Sequence, residues 1–203
     1  MTSPRLSELK PRPRHPGISG REPFAPPEGL QSYLARHHAE MAEPFVGVTT
    51  DGQLRPGLFR IEPTGVSCQP LVDAARAFLS CLTAEQRAAA CFAVDDERTW
   101  RSWSNISPFL LRHGVLLESL DQAQREAGLQ LACASLSQLG YATARDVMRL
   151  NYHIGELTGR WQEYGEWVYW LSIFGTPDGD QPWGWQIDGH HLILNCFVLG
   201  DQV

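Results

Sequence analysis

The chain has 203 residues, 43% hydrophobic and 20% charged, which is enough for one globular core and too little for several. Its net charge of -6 argues against a general nucleic-acid binder. The five cysteines, Cys68, Cys81, Cys91, Cys133 and Cys196, are odd in number and lack C-x-x-C spacing, so buried reduced thiols in a cytoplasmic protein are expected.

Residues 1–27 hold seven prolines, five basic side chains and two acidic ones. Such a segment cannot bury enough apolar surface to offset its ordering entropy, so a disordered or extended arm is expected, followed by a single α+β domain over 28–203. A proline-rich docking ligand is the sharper alternative. The basic N-terminus lacks the apolar stretch of a secretory signal, and the longest apolar run, Leu192 to Leu199, is too short to span a membrane.

Glu28 to Glu43 reads as a helix closed by Pro44, with His37 and His38 on its polar side. Between Pro44 and Ile61 the residues become β-branched or aromatic around Asp51-Gly52, which predicts a hairpin with an irregular second half at Pro56-Gly57. Helical spacing returns from Pro70, with Leu71, Ala74, Ala75, Phe78 and Leu82 as one stripe. Thr83 and Gln86 have the form of a capping box for a second short helix to Phe92. Arg98 to Pro108 has no clear period. Trp100 and Trp103, among Arg98, Arg101 and Asn105, either pin a loop to the core or wall a pocket.

Ser119 and Gln122 repeat the capping-box form and predict a helix to about Leu139, with Gly140 as its C-cap. This helix is apolar on two sides, and Gln124 within its alanine side needs a hydrogen-bond partner. Thr143 is expected to cap the next helix, to about Thr158, with Val147, Leu150, Ile154 and Leu157 as its core stripe. His153 and Glu156 are three apart but lie off that stripe. Glu166 to Phe174 is apolar on both faces and reads as an interior strand.

Trp183 to Asn195 separates apolar from polar best as a hairpin with Asp188-Gly189 as its turn. Ile187 then pairs with His190, Gln186 with His191 and Trp185 with Leu192. Adjacent histidines at a strand start point to opposite faces, so His190 joins the apolar face and His191 a polar face with Gln186 and Asn195.

F-G-T-P (174–177) and P-W-G-W-Q-I-D-G-H-H-L-I-L-N (182–195), preceded by W-S-N (103–105) and L-S-x-L-G-Y (136–141), resemble an uncharacterised family. It is number three thousand five hundred in the domain-of-unknown-function series, and the likeness covers roughly residues 65–203. The resemblance implies a shared fold and no assigned activity. It also implies further strands beyond the G-H-H segment, so this chain is expected to be a C-terminally shortened member with an uncovered sheet edge. Such an edge either pairs with another copy of the chain or leaves a fragment that folds poorly.

The expected fold is α+β, with N-terminal helices on a small, mainly antiparallel sheet formed by the C-terminal third. The expected function is an enzyme of unassigned chemistry. His191 and His190 are its catalytic candidates, either of them the ligand if a metal binds. Gln186, Asn195, Trp185, Trp103, Asn105 and Arg101 are expected to hold the ligand, with Arg98 as an alternative anion site. The alternatives are a non-catalytic small-molecule-binding or interaction protein and an inactive shortened paralogue. Walker, Rossmann, zinc-helix and nucleophile-elbow patterns are absent, and no cofactor is named. The expected partners are a small molecule and, through the sheet edge, a second copy, with neither nucleic acid nor membrane.

Overall fold

The computed structural model describes residues 28–44, 51–53, 55–57, 62, 64–106, 112–161 and 163–202. The expected arm and most of the expected hairpin at 44–61 lie outside these residues.

The fold is α+β, with helices mostly ahead of a mainly antiparallel sheet. The helices are α1 (Glu28–Ala42), α2 (Gln69–Cys81), α3 (Ala84–Ala90), α4 (Glu97–Arg101), α5 (Gln122–Ser135) and α6 (Gln138–Thr158). Two short strands, β1 (Cys91–Phe92) and β2 (Val115–Leu116), precede three long ones, β3 (Tyr169–Gly175), β4 (Trp183–Gly189) and β5 (Leu192–Val198). The order across the sheet is β1, β3, β4, β5. One side of β3 is shared lengthwise: β1 runs parallel to its end and β2 antiparallel to its start. Residues 91–92 and 115–116 were expected in a helix and in no element, because two residues carry no readable period.

The helix-facing side of the sheet carries Tyr169, Leu171, Ile173, Trp183, Trp185 and Ile187, all buried in one core with Leu71, Val72, Ala75 and Phe78 of α2 and Leu131 of α5. Burying each large aliphatic side chain here stabilises the fold by roughly 1.5–3 kcal/mol. Gly128, mid-helix in α5, allows this close packing: a Cβ there would meet Leu171 at 3.0 Å and Phe78 at 3.3 Å.

Capping chemistry sets the helix starts. Thr83 and Gln86 form the expected capping box of α3. The box of α5 is Asp121 with Gln124, two residues later than expected, because a short 3-10 turn takes up 117–119. Gln124 finds its partner: its amide donates to Cys81 O at 2.8 Å and to the Gln86 side chain at 2.8 Å, so the two capping boxes are tied together. The break between α5 and α6 comes earlier than expected. Leu136 is extended and Ser137, not Thr143, caps α6 through the Gly140 N–H at 3.1 Å. Arg98 to Arg101 is helical because Asp96 caps α4 through the Thr99 N–H at 3.0 Å.

The buried face of α6 is Ala144, Arg145, Met148, Asn151 and Gly155; of the expected Val147, Leu150, Ile154 and Leu157, Val147 packs half-buried against the core, Ile154 is half-buried and the two leucines are exposed. Small residues admit close neighbours: a Cβ on Gly155 would meet the Trp161 ring at 2.7 Å. One flank of α6 looks toward α5, since Arg145 and the α5 residue Arg125 both lie over the Trp167 ring, at 4.5 and 5.4 Å. The leucine flank points away from it.

The cysteines are all free, but Cys81 and Cys133 are exposed rather than buried. Among the described residues no helix is long and apolar enough to cross a membrane.

Candidate functional site

The strand registers build a second, polar face on the sheet. Ser172, Gln186 and Asn195 lie side by side across β3, β4 and β5, as do Trp170, Asp188 and Ile193, and Phe174, Gly184 and Phe197. Trp100, Arg112 and His113 lie against this face.

A hydrogen-bonded relay crosses it. His113 Nε2 donates to Gln186 Oε1 at 2.6 Å, and Gln186 Nε2 donates to Asn195 Oδ1 at 2.5 Å and to Trp100 O at 3.1 Å. Because the Gln186 amide nitrogen is turned to two carbonyl-type acceptors, its oxygen faces His113, which places the imidazole proton on Nε2. Burial pushes the His113 pKa down, opposed in part by its bond to Gln186. Sequence reasoning missed His113; one histidine ahead of a glycine carries no pattern.

Trp100 stacks on Phe174 at 3.7 Å and 16°, held by its Nε1 donating to Val94 O at 3.0 Å. Gly184 makes this possible. A Cβ there would collide with the Cys196 carbonyl oxygen and come within 2.8 Å of the Trp100 ring. Gly184→Ala is therefore expected to lower stability by about 2 kcal/mol in urea unfolding, because the backbone of β5 must shift to admit the methyl group.

Beside this face a cleft of about 1210 Å³ opens between α1 and β5. Trp100, Trp103 and Phe197 supply aromatic walls, Met41 lies on the α1 side and Asn195 joins the cleft to the relay. Trp103 and Phe197 remain 40% and 50% exposed. Glu40, Asp95 and Glu97 line the rim. Arg101, an expected ligand-binding residue, also lines the cleft; its guanidinium donates to Glu43 O at 2.7 Å and Glu40 O at 3.1 Å, closing the C-terminal end of α1, and to Glu97 at 2.9 Å. Arg98 is exposed on α4.

The expected Asp188-Gly189 turn is corrected. All seven residues of β3 pair with all seven of β4, which carries β4 through Gly189 and moves the turn to His190-His191. Gln186 pairs with Asn195 rather than His191, and Ile187 with Leu194 rather than His190. Each partner moves by an even number of residues, so the two faces keep the expected composition while both histidines leave the strand. Gly189 accommodates the Tyr169 ring, with which a Cβ would collide.

At the new turn His190 is held tightly. Asn151 Nδ2 donates to Gly165 O at 2.8 Å, leaving Oδ1 to accept from His190 Nδ1–H at 2.8 Å. The Tyr169 hydroxyl donates to His190 O at 3.0 Å and the Tyr164 ring lies 5.2 Å away. Nε2 thus keeps its lone pair. Burial, helped by His191 and Arg160, pushes the His190 pKa down to about 4, so the ring is neutral at pH 7. His191 is exposed, with φ of 59° in the left-handed region, and its N–H donates to Asn105 O at 2.9 Å. Its ring lies 4.0 Å from that of His190.

The expected site residues therefore divide. Asn195, Trp103 and Arg101 line the cleft, with the buried Gln186 bonded to Asn195 behind it. His190, His191 and the Asn105 backbone meet at the hairpin turn. Trp185 belongs to neither, being buried on the opposite face with its Nε1 donating to Ser135 Oγ at 3.0 Å.

Asp188, which reads in the sequence as a turn residue, is 1% exposed and neither carboxyl oxygen has a hydrogen-bond partner. The Ser104 amide approaches without making a bond of normal geometry, and burial raises the Asp188 pKa to about 8. Ser172 Oγ on the same face is likewise unpartnered. Among the described residues no three His, Cys, Asp or Glu side chains gather to hold a metal ion.

A family model described as "Protein of unknown function (DUF3500)" matches residues 64–203. No curated protein and no solved structure matches the chain.

Proposed function

This chain belongs to the DUF3500 family of proteins of unknown function, and on that premise we propose that it is a small-molecule-binding protein whose ligand lies in the cleft between α1 and β5. The observation that carries this reading is the lining itself: three aromatic rings around one exposed amide, with Asn195 Oδ1 already engaged by Gln186 so that Nδ2 is left for a ligand acceptor. The carboxylates of Glu40, Asp95 and Glu97 disfavour anions. The ligand is therefore a flat, neutral or cationic ring bearing a hydrogen-bond acceptor. Free thiols at all five cysteines support a cytoplasmic setting.

Titration with a panel of neutral and cationic heteroaromatic compounds, followed by tryptophan fluorescence, tests the reading. A bound compound is expected to lose roughly tenfold in affinity in Trp103→Ala and about fivefold in Asn195→Ala, with the fold retained since both residues are exposed. Undiminished binding in both variants would remove the cleft as the site.

A catalytic reading is favoured by one separate observation, the neutral His190 ring oriented by Asn151 with a free Nε2 lone pair. It assigns proton transfer to His190 rather than His191. Turnover of a bound compound that survives His191→Ala and vanishes in His190→Gln would support it. Turnover unaffected by the His190 change would end it.

A further inference from the structure

We infer, resting on the cleft reading, that the ligand between α1 and β5 is a heteroaromatic cation, a flat ring with a fixed positive charge. Asp95 and Glu40 select it over neutral rings of the same shape.

The charges of the lining are unequal. Among its described residues Glu40, Asp95 and Glu97 are carboxylates and Arg101 is the one guanidinium. Arg101 Nη1 donates to Glu43 O and to Glu97 Oε1, and Nη2 donates to Glu40 O. It therefore offsets Glu97 and turns these donors to the protein, which leaves an anion little to bind. Glu40 is met only loosely, by Arg36 at 3.9 Å and His37 at 3.8 Å, with 64% of its side chain in water. Asp95 is exposed and makes no ion pair among the described residues. Carboxylates set beside apolar walls concentrate their field in the cleft between them, so a cation gains there and an anion loses.

The rings favour the same sign. Trp100 and Phe197 meet at 59° with their centroids 6.4 Å apart, so a flat ligand laid on one turns its edge to the other. Aromatic faces are negative and aromatic edges positive, and a full positive charge on the ligand ring strengthens both contacts. A neutral ring would cover the same walls and draw water from Asp95 and Glu40 without meeting their charge.

Isothermal titration of the full chain with 6-methoxyquinoline and with its N-methyl cation tests this, since the pair differs by one charged methyl group. The cation is expected to bind at least about tenfold more tightly at about 50 mM salt, with that advantage reduced roughly threefold at about 500 mM. Asp95→Asn with Glu40→Gln is expected to lower the affinity for the cation at least about fivefold and to leave that for the neutral ring within about twofold. Both side chains are exposed, so the fold is retained, and Asp95→Asn alone serves should the double variant melt early. Equal affinity for the two compounds would overturn the inference, as would a cation preference that survives the loss of both carboxylates, or no binding of the cation at about 1 mM. The cleft itself is judged separately: it stands if Trp103→Ala weakens whichever compound binds, and falls if it does not.

Discussion

Replacing Asp188 with asparagine will raise the stability of the protein above neutral pH and flatten its pH dependence. The carboxyl is 1% exposed, without a hydrogen-bond partner, and burial raises its pKa to about 8 from the ordinary 3.8. The folded state therefore holds its proton more tightly than the unfolded chain does. The stability this contributes is complete below about pH 4 and is lost as pH rises through 8, at about 1.4 kcal/mol per pH unit. Across the whole range the loss is on the order of 5 kcal/mol.

His190 acts in the opposite sense. Its folded pKa of about 4 means that its contribution is lost as pH falls from the ordinary 6.5 toward 4. The buried His113 shifts the same way. Above pH 7 the histidines of the unfolded chain are mostly neutral and add little slope, so Asp188 dominates there. The wild type is expected to lose about 1 kcal/mol between pH 7 and 8.5, roughly 2–4 °C in Tm, and Asp188→Asn to show no such decline. Thermal melts of both proteins at half-unit steps decide it. Parallel decline of the two curves would mean that another group carries the slope. A buried carboxyl whose removal stabilises the fold has the character of a functional group, since stability alone would not retain it.

Asn151→Ala is expected to cost about 3 kcal/mol in urea unfolding. The asparagine is 1% exposed and satisfies two buried groups at once, the His190 Nδ1–H and the Gly165 carbonyl. Removing it orphans both, at about 1–3 kcal/mol each. The two losses belong to one network, so Asn151→Ala combined with His190→Ala should destabilise by at least about 1 kcal/mol less than the separate changes added together. Asn195→Ala, on the exposed end of the other relay, is the control and should remain within about 0.5 kcal/mol of wild type. An Asn151→Ala variant equally close to wild type would show that the hairpin turn is not held through this side chain.

The arrangement at Asn151 also marks where sequence reading stops. The pattern Val147, Leu150, Ile154, Leu157 predicts the buried face of α6 from hydrophobicity alone. The structure buries Ala144, Arg145, Met148, Asn151 and Gly155 and leaves the two leucines exposed, because two small residues let neighbours approach and Asn151 finds partners at Gly165 and His190. Neither partner is visible from the helix. The same limit hid the candidate site. Gln186, Asn195 and Trp103 were legible as polar or aromatic residues without a core role. His113 and Asp188 were not, since their meaning comes from Gln186 and from the burial of the whole polar face.

Local rules carried the rest. Alternation along 183–198 was enough to divide the sheet into an apolar and a polar face, and the Thr83-Gln86 box to start α3. The helix-then-strand order was enough for the α+β class. Alternation has a period of two and cannot tell one register from another shifted by an even number. Only the pairing of β4 with β3 along its full length decided that the turn falls at His190-His191, which took both histidines off the strand and gave them different roles. What one strand or helix can do by itself was therefore determined in the sequence. Which polar groups are buried, and against what, was settled only by packing, because a buried donor or charge is held by partners that lie far away along the chain.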